Sequence, residues 1–122
     1  MKPFKLTGPL LQERDVTTQI ITYLRFRGWR CHRLHVGRFR SMDGRRVVSI
    51  GQEGEPDWLC VHADFQPFYL EIKRPSERLR RSQELWILSA RRDGFRVLDL
   101  AGRKDPLEWF MEEYERIRLE AL

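Results

Sequence analysis

Gly54-Glu55-Pro56-Asp57-Trp58-Leu59-Cys60-Val61 and, a few residues on, Phe68-Tyr69-Leu70-Glu71-Ile72-Lys73 decide how the chain is read. Each holds an apolar run of strand length, and a Gly/Pro turn delivers Asp57 to the head of the first. The second carries two charged residues where a sheet core would take none. Successive side chains on a strand point to opposite faces, so Tyr69, Glu71 and Lys73 share one face and Phe68, Leu70 and Ile72 the other. Pairing the two runs as a hairpin would bring Asp57 and Glu71 together at one end, with Lys73 beside them. Two carboxylates and a lysine on a rigid sheet suit a hard divalent cation, which takes oxygen ligands and keeps several waters. The ammonium can then stabilise a charged transition state or help deprotonate an attacking water. Phosphodiester hydrolysis fits that set. The plain structural alternative is an edge-strand ion pair between Glu71 and Lys73.

On the C-terminal side, Pro75-Ser76 breaks the second strand. Leu79, Gln83, Trp86, Ile87 and Ala90 then recur at helical spacing up to Gly94, with Gln83 a polar residue on the apolar stripe. Residues 95–100 read as a further strand. Asp105-Pro106-Leu107-Glu108 combines an N-cap, a first-turn proline and an acid three past the cap. It opens a last helix with a stripe at Leu107, Phe110, Met111, Tyr114 and Ile117. Trp109 lies off that stripe and is expected at the surface.

On the N-terminal side, Val16, Ile20, Tyr23 and Leu24 mark a helix over 13–27, stopped by Gly28. Glu13 falls on its apolar stripe, where a carboxylate needs either the helix N-terminus or a metal as partner. Residues 29–39 and 47–50 read as a hairpin across Ser41-Met42-Asp43-Gly44. On this ribbon Cys31, Arg33 and His35 share a face. Arg38, Arg40, Arg45 and Arg46 gather at its tip, placed either to grip phosphates or to keep an edge hairpin solvated. Residues 1–11, with two prolines and a glycine, read as an arm ahead of a single domain over 12–122.

A chain of 122 residues, 41% apolar, is long enough for one core. It has no apolar run of membrane-span length and no signal-peptide-like start, so a cytoplasmic, membrane-free protein is expected. Cys31 and Cys60 have no paired spacing, which argues against a disulfide framework. A zinc set drawn from Cys31, His35, Cys60 and His62 matches no common module. Net charge is +5, and eight arginines fall between Arg25 and Arg46 against one acid, Asp43. A second basic cluster runs from Lys73 to Arg92, while the stretch from Glu108 is acidic. Such asymmetry favours a polyanion bound on one face.

Pro56-Asp57 followed by Glu71-Ile72-Lys73 resembles the signature of the PD-(D/E)XK nucleases. Gly54-x-Pro56-Asp57, Leu70-Glu71-Ile72-Lys73-Arg74-Pro75 and Ser82-Gln83 resemble its VRR-NUC branch, often small stand-alone phage and bacterial proteins. The resemblance runs from about residue 13 to about residue 100. It implies an α/β, restriction-endonuclease-like core: a central mixed sheet of four or five strands flanked by helices. It also implies a Mg²⁺- or Mn²⁺-dependent DNA endonuclease. Asp57, Glu71 and the Ile72 backbone carbonyl would hold the metal, and Lys73 would position or activate the attacking water. Glu13 would complete the acidic cluster, with Gln19 a weaker alternative, and Gln83 would support it. DNA contacts are expected from Arg33, Arg38, Arg40, Arg45, Arg46 and Arg74. Relatives of this kind are associated with branched, flap or junction DNA and often act as homodimers. The alternative is a non-catalytic nucleic-acid-binding module with a basic hairpin, which would show no metal-dependent cleavage.

Overall fold

The structure, a computed structural model, describes residues 12–34 and 37–122, and the side chains of 37–39 and 48–50 lie outside that description. The expected arm over 1–11, His35 and the Arg38 side chain therefore lie outside the described residues. In chain order the elements are α1 (Glu13–Phe26), β1 (Arg30–Arg33), β2 (Gly37–Arg40), β3 (Val47–Ile50), β4 (Trp58–Val61), β5 (Phe68–Glu71), α2 (Arg81–Arg92), β6 (Arg96–Asp99) and α3 (Pro106–Glu120). Four strands form one mixed sheet in the order β1-β4-β5-β6. β4 runs antiparallel to both β1 and β5, and β6 lies parallel to β5 after the α2 crossover. The protein is thus mixed α/β, with helices flanking a four-stranded mixed sheet.

Strand alternation divides the sheet as its sequence dictates. Phe68, Leu70 and Ile72 join Trp58, Cys60, Leu98 and the stripes of α1 and α3 in the main core. On the other face Tyr69 packs with Ile87, Ala90 and Val97 beneath α2. Gly28, at φ 89, ends α1 in the left-handed turn that glycine enters without strain. Trp29 follows at once and forms an aromatic node. Its ring stacks on Phe65, tilts against Phe68, and its Nε1–H donates to the Tyr114 hydroxyl at 3.0 Å. The node ties the α1–β1 junction to α3.

The expected strand over 29–39 is two strands. Trp29 and Cys31 are buried in the main core, so β1 joins β4 and ends at Arg33. The Leu34 N–H donates to the Asp57 carbonyl at 2.6 Å, the last rung of that ladder. β2 and β3 then pair in a separate two-stranded sheet, from Gly37↔Ile50 to Arg40↔Val47. The hairpin is an outgrowth of the sheet, leaving after Leu34 and returning at Asp57. Its turn uses 41–46, where the Ser41 N–H bonds the Arg46 carbonyl and Gly44 takes φ 74. Arg40, Arg45 and Arg46 are exposed there.

α3 begins as its sequence signals, with the Asp105 carboxylate accepting the Glu108 N–H at 3.0 Å and Pro106 in the first turn. Trp109, however, is half-buried against the core, and the Arg103 guanidinium covers its ring at 4.2 Å. A residue from the preceding loop occupies the surface that helix periodicity alone leaves open. Among the described residues no helix is long and apolar enough to cross a membrane.

Tyr114→Phe keeps the ring and removes the acceptor of a buried indole N–H. An orphaned buried donor costs ~1–3 kcal/mol, so urea unfolding should register a loss of that size. Unchanged stability would mean that the Trp29–Tyr114 bond does not help hold α3 to the sheet.

Candidate active site

One end of the sheet collects the charged residues. The register Trp58↔Leu70 makes Asp57 and Glu71 the next opposed positions on β4 and β5. Glu71 is 1% exposed, on the face covered by α2. Its Oε1 accepts a hydrogen bond from Gln83 Nε2 at 2.9 Å, and Lys73 Nζ stands 3.6 Å from the same oxygen. Gln83 can point only one way, because its own Oε1 accepts the Arg80 N–H at 2.9 Å in the first turn of α2. Its nitrogen therefore faces Glu71. Lys73 is 7% exposed, so this is a buried cluster rather than a rim ion pair. Glu71 Oε2 has no hydrogen-bond partner among the described residues.

Burial pushes the Glu71 carboxyl up to about 8, and the Asp57 charge across the strand pair adds to the rise. Lys73 and the Asp57 backbone N–H pull the other way and do not prevail. Glu13 belongs to the same field. Partial burial raises its carboxyl first, then Asp57 and Glu77 by repulsion, against Lys73 and Arg33. Glu13 is nevertheless exposed, not on the buried stripe. The packed stripe starts at Val16, and the first residue of α1 projects beyond it. Gln19 is buried among Ile20, Tyr23, Leu107 and Phe110, toward α3, and does not join the site.

Two features escaped the sequence reading. Glu77 is half-buried, has one carboxyl oxygen buried without a partner among the described residues, and lies 3.9 Å from Arg74 Nε through the other. Pro75-Ser76 signalled only a stop, but the chain turns back there, with Ser76 at φ 64 and its N–H on the Arg103 carbonyl at 2.7 Å. The second feature is the seat of loop 51–56 on α2. At Gly54, with φ +87, an added Cβ would meet the Ser82 carbonyl oxygen at 2.1 Å. Trp86 Nε1 donates to Gln52 Oε1 at 2.9 Å across the same contact. The loop leading to Asp57 is thereby clamped to the turn that holds Gln83. Arg33 is exposed beside the cluster, its guanidinium 5.9 Å from the Trp58 ring centroid, and Arg74 is exposed as well.

Among the described residues, no three His, Cys, Asp or Glu side chains come together as a metal cage. The zinc set includes His35, which lies outside those residues. A hard divalent ion asks for less of the protein, since waters and main-chain oxygens complete its shell. The unpartnered Glu71 Oε2 and the mutual repulsion of Glu71 and Asp57 fit such an ion. The Glu71 carbonyl accepts the Leu100 N–H at 3.1 Å on the β6 side. No protein-family model matches the chain and no curated protein matches it.

The raised Glu71 carboxyl has a consequence for stability. Its ordinary value is 4.5, so between about pH 4.5 and 8 the folded protein holds a proton that the unfolded chain has already lost. Without divalent metal, stability should therefore fall as pH rises through that window, by up to a few kcal/mol. In Glu71→Gln that fall should largely vanish. Thermal melts across the window check this, and an equal slope in both proteins would contradict the assignment.

Proposed function

We propose that the protein is a divalent-metal-dependent DNA endonuclease built on a restriction-endonuclease-like core. The observation that carries this reading is Glu71: a carboxyl 1% exposed, with an unpartnered oxygen, kept next to the Asp57 charge. A purely structural ion pair gains nothing from a second acid at that spot, whereas a cation site needs one. Asp57, Glu71 and the Ile72 carbonyl would hold Mg²⁺ or Mn²⁺, with Glu13 at the edge of the site. When bound, such an ion offsets negative charge on a phosphate and makes a water easier to deprotonate.

The remaining roles fall to the chain itself. Gln83 fixes Glu71 through Oε1 and leaves Oε2 for other work. Lys73, buried beside Oε1, counters charge that grows on the phosphate during attack and helps orient the water. The exposed arginines of the hairpin, with Arg33 and Arg74, supply sequence-independent grip on the DNA backbone. The hydrogen bond from the Leu34 N–H to the Asp57 carbonyl ties the chain just ahead of the hairpin to Asp57, which supports a shared DNA-binding face. Branched, flap or junction DNA is the proposed substrate class. A homodimer would provide two sites for paired cuts. With Trp109 half-buried, that proposal rests on the need for two sites alone.

Incubation with duplex, nicked, flap and four-way DNA plus Mn²⁺ tests the reading. Wild type should cut at least one of these, and Asp57→Asn and Glu71→Gln should lose cleavage and bind metal more weakly while still folding. Lys73→Ala should lose roughly 100-fold or more in turnover with metal binding little changed. A wild type that binds DNA and never cuts it would leave a binding module. Full activity in Asp57→Asn and Glu71→Gln would overturn the site.

A further inference from the structure

Cys31 and Cys60 stand directly opposite each other in the β1–β4 ladder. The ladder's phase can be read from its last rung. The Leu34 N–H bonds the Asp57 carbonyl, so Leu34 and Asp57 form a hydrogen-bonded pair. Pairs alternate along an antiparallel ladder, and three steps back Cys31 and Cys60 form a non-hydrogen-bonded pair, the kind whose side chains lie closest. Cα atoms in such pairs are roughly 4.5 Å apart, at the short end of the roughly 4.4–6.8 Å that a disulfide spans.

The two thiols are not equivalent. Cys60 is fully buried, while Cys31, on the edge strand β1, keeps 9% exposure. The Cys60 thiol leans on the Cys31 sulfur and, with the Arg25 cation nearby, holds the Cys31 thiol below its usual range against the effect of burial. The same contact, together with burial, pushes Cys60 up. The pair therefore consists of the less deeply buried sulfur, inclined to ionise, and a protonated partner behind it.

We propose that Cys31 and Cys60 are a peroxide-responsive thiol pair that closes into a reversible cross-strand disulfide. The Cys31 thiolate attacks one oxygen of hydrogen peroxide, the O–O bond breaks, and hydroxide leaves a sulfenic acid on Cys31. Cys60 gives its proton to that hydroxide and its sulfur attacks Cys31. The S–O bond breaks, a second hydroxide leaves and takes up the Cys31 proton equivalent from solvent. The sum is two thiols oxidised to one disulfide and one peroxide reduced to two waters. The bond would staple β1 to β4 two residues from Arg33 and three from Asp57. This proposal does not depend on the nuclease reading.

The test uses the native wild-type chain, exposed to hydrogen peroxide, unfolded, alkylated and weighed. The expected product has lost about 2 Da, takes up no alkylating agent, and returns to two alkylatable thiols after dithiothreitol. Proteolysis should yield one peptide pair joined through Cys31 and Cys60. In Cys31→Ser, checked for native circular dichroism, Cys60 should stay reduced under the same exposure. Oxygen added to either cysteine without a cross-link, a disulfide between two chains, or two unreacted thiols in wild type would each overturn the proposal. So would oxidation of Cys60 in Cys31→Ser at the wild-type rate.

Discussion

A carboxyl buried to 1% exposure beside a second acid is the constraint on which this structure turns. Burying a charged group without full compensation costs several kcal/mol, so its surroundings must be held firmly. Glu71 receives one fixed donor from Gln83, and Gln83 is itself fixed by the Arg80 N–H. That arrangement requires the first turn of α2 to sit in one place. Gly54 settles where, because its backbone approaches Ser82 more closely than any side chain would permit. The Gln52–Trp86 bond closes the same contact from the other side. Loop 51–56, α2 and β5 thus form one unit, and Asp57 is delivered by that loop.

The sheet explains why the charges can lie where they do. β5 is interior, antiparallel to β4 and parallel to β6, and its end meets the start of β4 and the first turn of α2. The N-terminal end of a helix carries partial positive charge, which favours acids nearby. One step along the strand, Leu70 and Ile72 are fully buried on the opposite face. The strand that carries the polar cluster is therefore also the strand that anchors the main core. Trp29 completes that anchoring by tying α1, β1 and α3 together, well away from the charged end.

Much of this was legible in the chain because it is written in local periodicity. Alternation over 68–73 separated Phe68, Leu70 and Ile72 from Tyr69, Glu71 and Lys73, and the structure keeps that separation. The stop at Gly28 and the cap at Asp105 also read correctly. What local pattern did not carry was contact between distant segments. Residues 29–39 look like one strand, yet burial of Trp29 and Cys31 draws only the first part into the main sheet. Trp109 looks exposed until Arg103 folds over it. Glu13 looks buried by its spacing to Val16, but the first residue of a helix can project past its packed stripe. Glu77 reaches the site through the turn at Ser76, and Cys31 meets Cys60 through a register that neither strand encodes alone.

If a divalent cation takes the place of the proton on the buried Glu71 carboxyl, metal binding and proton release are linked. Calorimetric titration with Mn²⁺ near pH 7, in two buffers of different ionisation enthalpy, counts the protons released on binding. Wild type should bind with release of close to one proton per ion, and Glu71→Gln should lose that release. Binding with no proton released, or the same release from Glu71→Gln, would contradict that linkage.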